Sequence, residues 1–229
     1  MTFGYRRAIS SHPQREGLRS PREATLARLG YGLPIIMSAQ DPQPPSSPSR
    51  DAVFGPGPVF VRWTPAVAEE YPELVREVEQ FDAGQRDAAQ QAVSWLQDRS
   101  LLVPAESVAR LLLDNGHLLG FYALASGATE LTRSQRRALG ASDRRTQPAT
   151  LLTQIARDAR APSGTGGQLL LHAIAVTRRG ARQIAATMLA LDPHDSETAH
   201  MWKDRFGFRD SAGPGPGRYE RRLWIPLSS

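Results

Sequence analysis

The sequence contains no cysteine and only one lysine, Lys203. The lack of cysteine excludes disulfide scaffolds, thiolate metal sites and cysteine nucleophiles. Long apolar runs are also missing: a stretch such as 169–175 is far too short to span a bilayer, and nothing near residue 1 resembles a secretory signal. We therefore expect a cytoplasmic protein without a membrane partner.

What the chain does contain is a globular composition with unevenly distributed charge. Hydrophobic residues make up 40% and charged residues 22% of its 229 residues, as in ordinary soluble domains. The formal net charge is +4 over residues 1–50, −7 over 51–130 and +8 over 131–229. A basic second half indicates contact with a polyanion. A biased overall composition also explains the preference for arginine.

The first part of the chain has the composition of a disordered extension. Residues 40–50 and 54–58 are rich in proline, serine and glycine and lack the apolar residues that would offset chain entropy. A capping-box pattern at 20–23 predicts one short helix before this stretch. We predict a mostly disordered extension over residues 1–57 and a folded domain over 58–229.

From residue 59 onwards, the pattern alternates between strands and helices. Six segments are predicted as strands: 59–63, 107–113, 118–125, 150–155, 184–191 and 219–225. Helices are predicted after Pro65 and over 87–98, 168–176 and 196–205. The turn at 114–116 is a strong hairpin signal. A hairpin followed by strand–helix–strand–helix–strand predicts an α/β domain with a partly antiparallel sheet.

A glycine-rich turn at 163–167 leads straight into one of the predicted helices. Such a turn lets backbone N–H groups converge, and the helix N-terminus favours an anion. The segment is not a Walker loop, because Gln168 follows Gly167, and it lacks the third glycine of a dinucleotide fingerprint. On these residues alone, a phosphate site and a plain flexible turn both remain open.

Three segments together resemble the GNAT superfamily of acyl-CoA-dependent N-acetyltransferases. Residues 155–171 are similar to its strand, pyrophosphate loop and helix. Residues 187–192 and 199–208 are similar to its next strand and helix, which typically end in Tyr-x-x-x-Gly-Phe. Residues 81–84 and 95–96 resemble the start of one branch, which contains the acetyltransferase toxins of bacterial toxin–antitoxin modules.

The resemblance covers about residues 59–225 and implies a fold and a co-substrate. The fold is a GNAT-like mixed, partly antiparallel central sheet flanked by helices, and the co-substrate is acetyl-CoA, without a metal. Ten residues would bind it: Ile155, Ala156, Arg157, Arg160, Ser163, Gly164, Thr165, Gly166, Gly167 and Gln168. The loop departs from the superfamily, because Ala161 or Pro162 replaces its polar first residue, and Arg160 would supply the missing charge.

The second departure is Trp202, which stands where the superfamily usually has a tyrosine that protonates the departing thiolate. An indole cannot supply that proton, although its N–H can donate a hydrogen bond. Four further residues are candidates for handling protons, with a surface or capping role open for each: His194, Ser196, His200 and Tyr219. Asp192 either orients the amine or begins the Asp-Pro turn. General acid–base help contributes about 10²–10⁴-fold, so positioning and carbonyl polarisation still support transfer without it.

In the toxin branch the acceptor is the amino acid on charged tRNA, and basic surface binds the RNA. Five arginines precede the predicted cofactor strand: Arg133, Arg136, Arg137, Arg144 and Arg145. They form either an acceptor-binding surface or a solvated basic loop.

The resemblance therefore implies acetyl transfer to a primary amine, with aminoacyl-tRNA as the first choice of acceptor. A DNA-binding antitoxin and a homodimer are the expected partners. Two alternatives remain open: acetylation of a small amine or a protein, and a catalytically degenerate module that binds acyl-CoA or a partner.

Overall fold

The computed structural model describes four stretches of the chain: 48–103, 105–184, 186–215 and 219–227. The short predicted helix and the rest of the predicted extension up to residue 47 lie outside this part. The described chain begins with helix α1 (Arg50–Phe54), which Ser49 caps and in which Val53 is fully buried. Folded structure therefore begins before the expected domain boundary at residue 58, because Val53 packs in the core.

Seven strands of the described residues form one sheet. In chain order they are β1 (Pro58–Arg62), β2 (Val108–Asp114), β3 (His117–Glu130), β4 (Thr146–Arg157), β5 (Met188–Leu191), β6 (Arg209–Pro214) and β7 (Arg221–Pro226). Across the sheet the order is β1-β2-β3-β4-β5-β7-β6, and every neighbouring pair except β4 and β5 is antiparallel. This confirms the predicted mixed, partly antiparallel sheet.

Six further helices of the described part connect these strands. They are α2 (Pro65–Glu70), α3 (Pro72–Glu79), α4 (Asp87–Asp98), α5 (Arg133–Leu139), α6 (Thr165–Ile184) and α7 (Ser196–Phe206). The helix predicted after Pro65 is split in two, because Pro72 begins a new first turn. No described helix is long and apolar enough to cross a bilayer.

Helices cover both faces of the sheet. Successive strand residues point to opposite faces, so Phe121 packs with α3 and α4 on one face, here called face A, and Tyr122 packs on the other, face B. Face B is covered by α6 and α7, which contribute Leu169 and Ala199 to its core. Helix α5 also lies on face A, where Leu139 packs against the strands at the far end of the sheet.

Two segments differ from the sequence prediction. Helix α6 continues to residue 184, so only Met188–Leu191 of the predicted strand over 184–191 is a strand. The helix continues because Val176 and Ala181 still pack on face B. The glycine- and proline-rich stretch that follows residue 208 contains strand β6. The sequence does not predict this strand, which forms by pairing with β7 at the edge of the sheet.

The basic connection before β4 is also more ordered than the predicted loop. Its first element is helix α5, and Thr132 and Gln135 form a capping box at the N-terminus of this helix. The helix ends at Gly140, whose left-handed φ of 61° suits glycine. The predicted breaker Pro148 lies inside β4, whose observed range starts at Thr146.

Candidate active site

Strands β4 and β5 lie side by side over only three residues. Residues 150–152 pair with 189–191, and β5 then ends while β4 runs on. Residues 154–157 of β4 pair with β3 alone, so the backbone groups on their other edge face an opening. We call this opening the β4–β5 cleft, and the end of the paired residues, at Leu152, its apex.

A β-bulge at Thr153 lies at the apex. The ladder skips this residue, since Ala123 pairs with Gln154 and the next residue of β3 pairs with Leu152. The hydroxyl oxygen of Thr153 lies 3.1 Å from that of Ser107 and donates to the carbonyl oxygen of Ala123 at 3.3 Å. A bulge bends its strand and increases the local twist, which favours the separation of β4 from β5. The sequence carries no local signal for it.

The predicted glycine turn lies at the open end of the cleft. Gly164 has a left-handed φ of 94°, which glycine adopts readily, and the hydroxyl of Thr165 donates to the carbonyl oxygen of Pro162 at 2.8 Å. The N–H groups of Gly166 and Gly167 have no backbone acceptor among the described residues, and a Cβ atom at Gly166 would meet nothing within 4 Å. Two free amides and open space at the start of a 20-residue helix suit an anionic group such as a pyrophosphate.

A buried carboxylate that sequence reasoning missed holds the glycine turn in place. Asp158 accepts from the backbone N–H of Arg160 at 2.8 Å and from its guanidinium at 2.9 and 3.1 Å. These hydrogen bonds are the largest influence on the pKa of Asp158, which is lowered despite burial. Arg160 thus stays exposed at the rim of the turn, but its charge is already bound to a carboxylate.

The same carboxylate attaches the α3–α4 connection to the glycine turn. The backbone N–H of Asp82 donates to Asp158 at 3.4 Å, and the carbonyl oxygen of Asp82 accepts from the N–H of Ala159 at 2.7 Å. Residues 81–84, which resemble the toxin branch, therefore lie against the loop that follows β4. An acid directly after an apolar strand was the only sequence signal for this role.

The chain leaves β5 on the far side of the cleft. Asp192 accepts two hydrogen bonds from the guanidinium of Arg222, at 2.8 and 2.7 Å. It therefore ties β7 to the end of β5, and its carboxylate is already bound to a cation. His194 is half-buried on the same connection, and the side chain of Asp195 caps α7.

Trp202 packs in the core of face B. Only 7% of the residue is exposed, and its ring centroid lies 5.2 Å from that of Phe206 and 5.5 Å from that of Phe208. Ala199 lies one turn earlier on the same buried stripe of α7. The geometry gives this indole a packing role, which suits its inability to donate an acid proton.

Tyr219 belongs to a cluster of three polar side chains. Its hydroxyl donates to Asp210 at 2.8 Å and accepts from the ammonium group of Lys203 at 2.7 Å. Lys203 also lies 2.8 Å from the other carboxylate oxygen of Asp210. The hydroxyl proton of Tyr219 is thus already bound to a carboxylate, and proton handling by this residue requires the cluster to open.

The five predicted acceptor arginines fall into two groups. Arg136 donates to the carbonyl oxygen of Leu131 at 2.6 Å, and Arg145 lies 2.9 Å from the carboxylate of Glu130. These two side chains are bound within the fold. Three others are exposed, and no contact of their guanidinium groups is seen among the described residues: Arg133, Arg137 and Arg144.

These arginines lie at the opposite end of β4 from the glycine turn. Helix α5 precedes β4 whereas the turn follows it, and a strand of 12 residues is about 35 Å long. Leu139 of α5 packs against a cluster on face A that includes Ala190, and Ala190 pairs with Leu151 next to the apex. The fold therefore brings the arginine segment towards the apex of the cleft and away from its pyrophosphate end.

No protein-family model matches the chain, and no curated protein matches it in sequence. Solved structures do match it. A tyrosine-to-phenylalanine variant of KacT superposes with a TM-score of 0.59 at 16% identity, over 74% of this chain and 95% of the other. The complex of AtaT with acetyl-methionyl-tRNAfMet gives 0.55 at 16% identity, over 74% and 95%. A tyrosine-to-phenylalanine variant of the AtaT toxin, bound to the C-terminus of the antitoxin AtaR and to acetyl-CoA, gives 0.50 at 18% identity, over 75% and 94%.

These comparisons confirm the fold expected from the sequence. KacT and AtaT are GNAT-fold toxin acetyltransferases, so the described chain has the GNAT fold, and its resemblance to the toxin-type branch is confirmed at the level of fold. A shared fold does not determine a shared activity. The activity therefore has to be argued from the cleft and its residues.

Proposed function

We propose that the chain is an N-acetyltransferase that moves the acetyl group of acetyl-CoA to the amino group of an aminoacyl-tRNA. One observation carries the proposal: the β4–β5 cleft runs from its apex at Leu152 to the two free amides of Gly166 and Gly167. This shape suits an elongated acyl carrier with a pyrophosphate at one end and a thioester at the other. The fold likeness to AtaT, solved with acetyl-CoA and with acetyl-methionyl-tRNA, supports it.

Acetyl-CoA would be held mainly by backbone groups of this chain. Its pyrophosphate would accept from the amides at the start of α6, where the helix dipole also favours an anion. Its pantetheine arm would lie along the unpaired edge of residues 154–157, as an added strand does. The thioester then comes to the apex, beside the bulge at Thr153.

The reaction is an acyl transfer in which the neutral amine attacks the thioester carbonyl carbon, the C–S bond breaks and the thiolate leaves. An α-amine has a reference pKa of about 7.7–8.0, so part of it is neutral near pH 7 without a strong base. Backbone N–H groups at the open edge of β4 would polarise the carbonyl oxygen. Trp202 offers no acid proton, and the hydroxyl of Tyr219 already donates its hydrogen bond to Asp210. Of the other predicted proton-handling residues, Ser196 and His200 are exposed, whereas His194 is half-buried on the connection that follows β5, and we assign the protonation of the thiolate to it.

The body of the acceptor would contact the α5 segment on face A, and its end would reach the apex of the cleft. The three exposed arginines of the α5 segment carry positive charge on face A, and phosphate contacts need such cations rather than a fixed motif. Helix α5 holds two of them, Arg133 and Arg137, on an ordered surface. An acceptor that is a large anion fits this surface better than a small amine does.

Thiol release from acetyl-CoA tests the proposal directly. We expect release with charged tRNA and none with uncharged tRNA or free amino acids. Equal rates with free amino acids would contradict the tRNA acceptor, although not the acetyl transfer.

A triple variant tests the surface that selects the acceptor. Replacing Arg133, Arg137 and Arg144 with Gln should lower kcat/KM for charged tRNA and make its salt dependence shallower, by a slope of about 2 for three lost phosphate contacts. Acetyl-CoA binding should not change. The matched control replaces Arg76 and Arg205, which are exposed outside the α5 segment, and should behave like the parent.

A second function is favoured by the side chains around the cleft. Trp202 is packed in the core and Asp192 is bound to Arg222, so the chain could bind acyl-CoA without catalysing transfer. Isothermal titration distinguishes the two functions: acetyl-CoA binding without thiol release to any amine would favour the binding module.

An antitoxin is the protein partner that a toxin-like enzyme requires. AtaT was solved with the C-terminus of its antitoxin AtaR, and we propose a comparable partner for this chain, encoded beside it and binding DNA. Co-expression with the adjacent small protein should relieve growth arrest caused by the chain. Self-association stays a prediction, which sedimentation analysis would test.

A further inference from the structure

A pocket on face B adjoins the apex of the cleft. Its volume is about 490 Å³, and its lining includes Arg62, Arg110 and Thr150. Ser107, another lining residue, lies within 3.1 Å of the hydroxyl of Thr153, the bulge residue. The pocket therefore lies next to the apex, where β4 and β5 separate, and its lining residues come from β1, β2, β3 and β4 and the residues before β2.

Two arginines lie side by side in the wall of this pocket. Arg62 of β1 and Arg110 of β2 are direct partners in the antiparallel ladder, and like charges in that position destabilise a sheet. Burial above all lowers the pKa of Arg110, and the positive charges of Arg62 and of Arg179 on α6 lower it further. None of these three side chains is seen in an ion pair with a carboxylate in the described part of the chain.

The groups around Arg110 do not neutralise its charge. The hydroxyl of Tyr122, its partner in the β2–β3 ladder, lies 2.8 Å from Nδ1 of His172. Burial raises the pKa of Tyr122 and lowers the pKa of His172 to about 4, so both are uncharged at pH 7. Glu106, the carboxylate in the described lining, is exposed and lies 3.5 Å from Arg99 outside the pocket.

This anion-deficient pocket is separate from the pyrophosphate end of the cleft. Arg179 follows Thr165, the first residue of α6, by 14 positions, which corresponds to about 20 Å along a helix. An anion held at Arg110 is therefore a different group from one held by the glycine turn. Guanidinium groups bind phosphate oxygens in paired, charge-assisted hydrogen bonds.

We propose that this pocket, the arginine pocket, binds a phosphate group, and that in the reaction it holds a backbone phosphate near the 3′ end of the RNA acceptor. Neighbouring strands are about 4.8 Å apart, so Arg110 on β2 lies about 10 Å from β4, at the level of Ile155 and near the apex at Leu152. The last nucleotides of an RNA strand can span that distance to the amino acid. The source of the phosphate rests on the proposed function, whereas its chemistry rests on the pocket alone.

Thermal unfolding in phosphate and in chloride, at equal ionic strength and without acetyl-CoA, tests the phosphate site. We expect phosphate to raise the melting temperature of the parent above its value in chloride. Arg62→Gln and Arg179→Gln, both at exposed positions, should reduce this difference, and Arg76→Gln on face A should not. Arg110→Gln should abolish it while raising stability in chloride, because it removes one of the repelling charges.

Binding of a short fluorescent single-stranded RNA identifies the source of the phosphate. The double variant of Arg62 and Arg179 should bind this RNA at least about tenfold more weakly and with a shallower salt dependence. If AMP and inorganic phosphate stabilise the parent but the variants bind RNA normally, the phosphate site stands and its RNA source is overturned. If phosphate acts no better than chloride and the variants bind RNA like the parent, the whole inference is overturned.

These measurements contain no acetyl-CoA, so they are independent of the acetyltransferase activity. An absence of thiol release together with a normal phosphate effect would contradict the proposed function and leave the phosphate site intact. Normal thiol release with charged tRNA, together with no phosphate effect and no effect of the pocket variants on RNA binding, would overturn the phosphate site and leave the proposed function intact.

Discussion

The two segments that border the β4–β5 cleft keep the GNAT pattern in different ways. The glycine turn departs from the pattern in its side chains at Ala161 and Pro162, yet it presents the backbone amides that a pyrophosphate needs. The β5–α7 segment keeps the pattern's helix and its final Gly-Phe, yet Trp202 stands at the proton donor's position and packs in the core. A site made of backbone groups survives sequence change as long as the conformation survives, whereas a role carried by one side chain does not.

The largest effect should come from closing the glycine turn. Gly166→Val should weaken acetyl-CoA binding by about 100-fold. The valine side chain would fill the space in which the pyrophosphate would accept charge-assisted hydrogen bonds from the amides of Gly166 and Gly167. The matched control is Gly180→Val in the same helix, where a Cβ atom also meets nothing within 4 Å. Calorimetry should show near-parental affinity for the control. Equal affinities in the two variants would remove the turn from the cofactor site.

Truncating the tryptophan should have the next largest effect, on stability rather than on chemistry. Trp202→Ala should lower the free energy of unfolding by about 3–5 kcal/mol, as other buried aromatic truncations do, measured by urea unfolding. Trp202→Phe keeps most of the packing and should leave the rate of thiol release near the parental value. A fall of about 100-fold in Trp202→Phe would instead show that the indole N–H acts at the thioester.

The pair at the end of β5 should show an intermediate effect. Asp192→Asn leaves the guanidinium of Arg222 half-buried without its charged partner, and we expect a loss of about 1–3 kcal/mol in the free energy of unfolding. Asp204→Asn, an exposed change on α7, is the matched control. If Asp192→Asn keeps parental stability and loses thiol release alone, the carboxylate acts on the amine and not on the sheet.

Helices α6 and α7 should also differ in the pH range over which they lose stability. Burial lowers the pKa of His172 on α6 to about 4 from its ordinary 6.5. The unfolded chain therefore takes up this proton first, and stability should fall as the pH drops from 6.5 towards 4. The hydrogen bond from Thr198 lowers the pKa of Asp195 at the start of α7. The stability that the ionised carboxylate of Asp195 contributes is present above the ordinary pKa of an aspartate, and it is lost as the pH falls through the lowered pKa of the folded chain.

Urea unfolding between pH 7 and pH 3 would separate these two ranges. His172→Gln should reduce the dependence of the free energy of unfolding on pH between about 6.5 and 4. Asp195→Asn should reduce the loss of stability at more acidic pH, to which Asp158 also contributes. A parental slope in the His172 variant would assign the upper range to other groups.

Local signals account for the parts of the fold that the sequence predicted well. Helix α4 has the predicted bounds, and the turn at 114–116 forms the predicted hairpin, with φ of 51° at Asn115 and 80° at Gly116. The glycine turn also needed only local information, because glycine spacing and the following helix determine where its amides point. Each of these elements is determined by a few residues that are close together in the chain, so the sequence alone is sufficient to predict it.

Several features that the sequence did not reveal depend on distant partners. Strand β6 exists because β7 pairs with it, and the bulge at Thr153 exists because β3 lacks a matching residue. The charge of Arg110 is informative only once Arg62 is known to lie opposite. Asp192 similarly is a candidate for catalysis until Arg222, which lies 30 positions away, is seen to bind it.

The short contact between β4 and β5 has a consequence for how the chain assembles. Strands β2, β3 and β4 follow one another and pair as neighbours, whereas β5 must return past the whole of α6 to pair with only three residues. Contacts that close such long loops form late, and the earlier part of a chain emerges first during synthesis. The pairing of β4 with β5 should therefore form near the end of folding. The cleft would come into being at that moment, so a nascent chain could not carry out the proposed acetyl transfer until its last strands had joined.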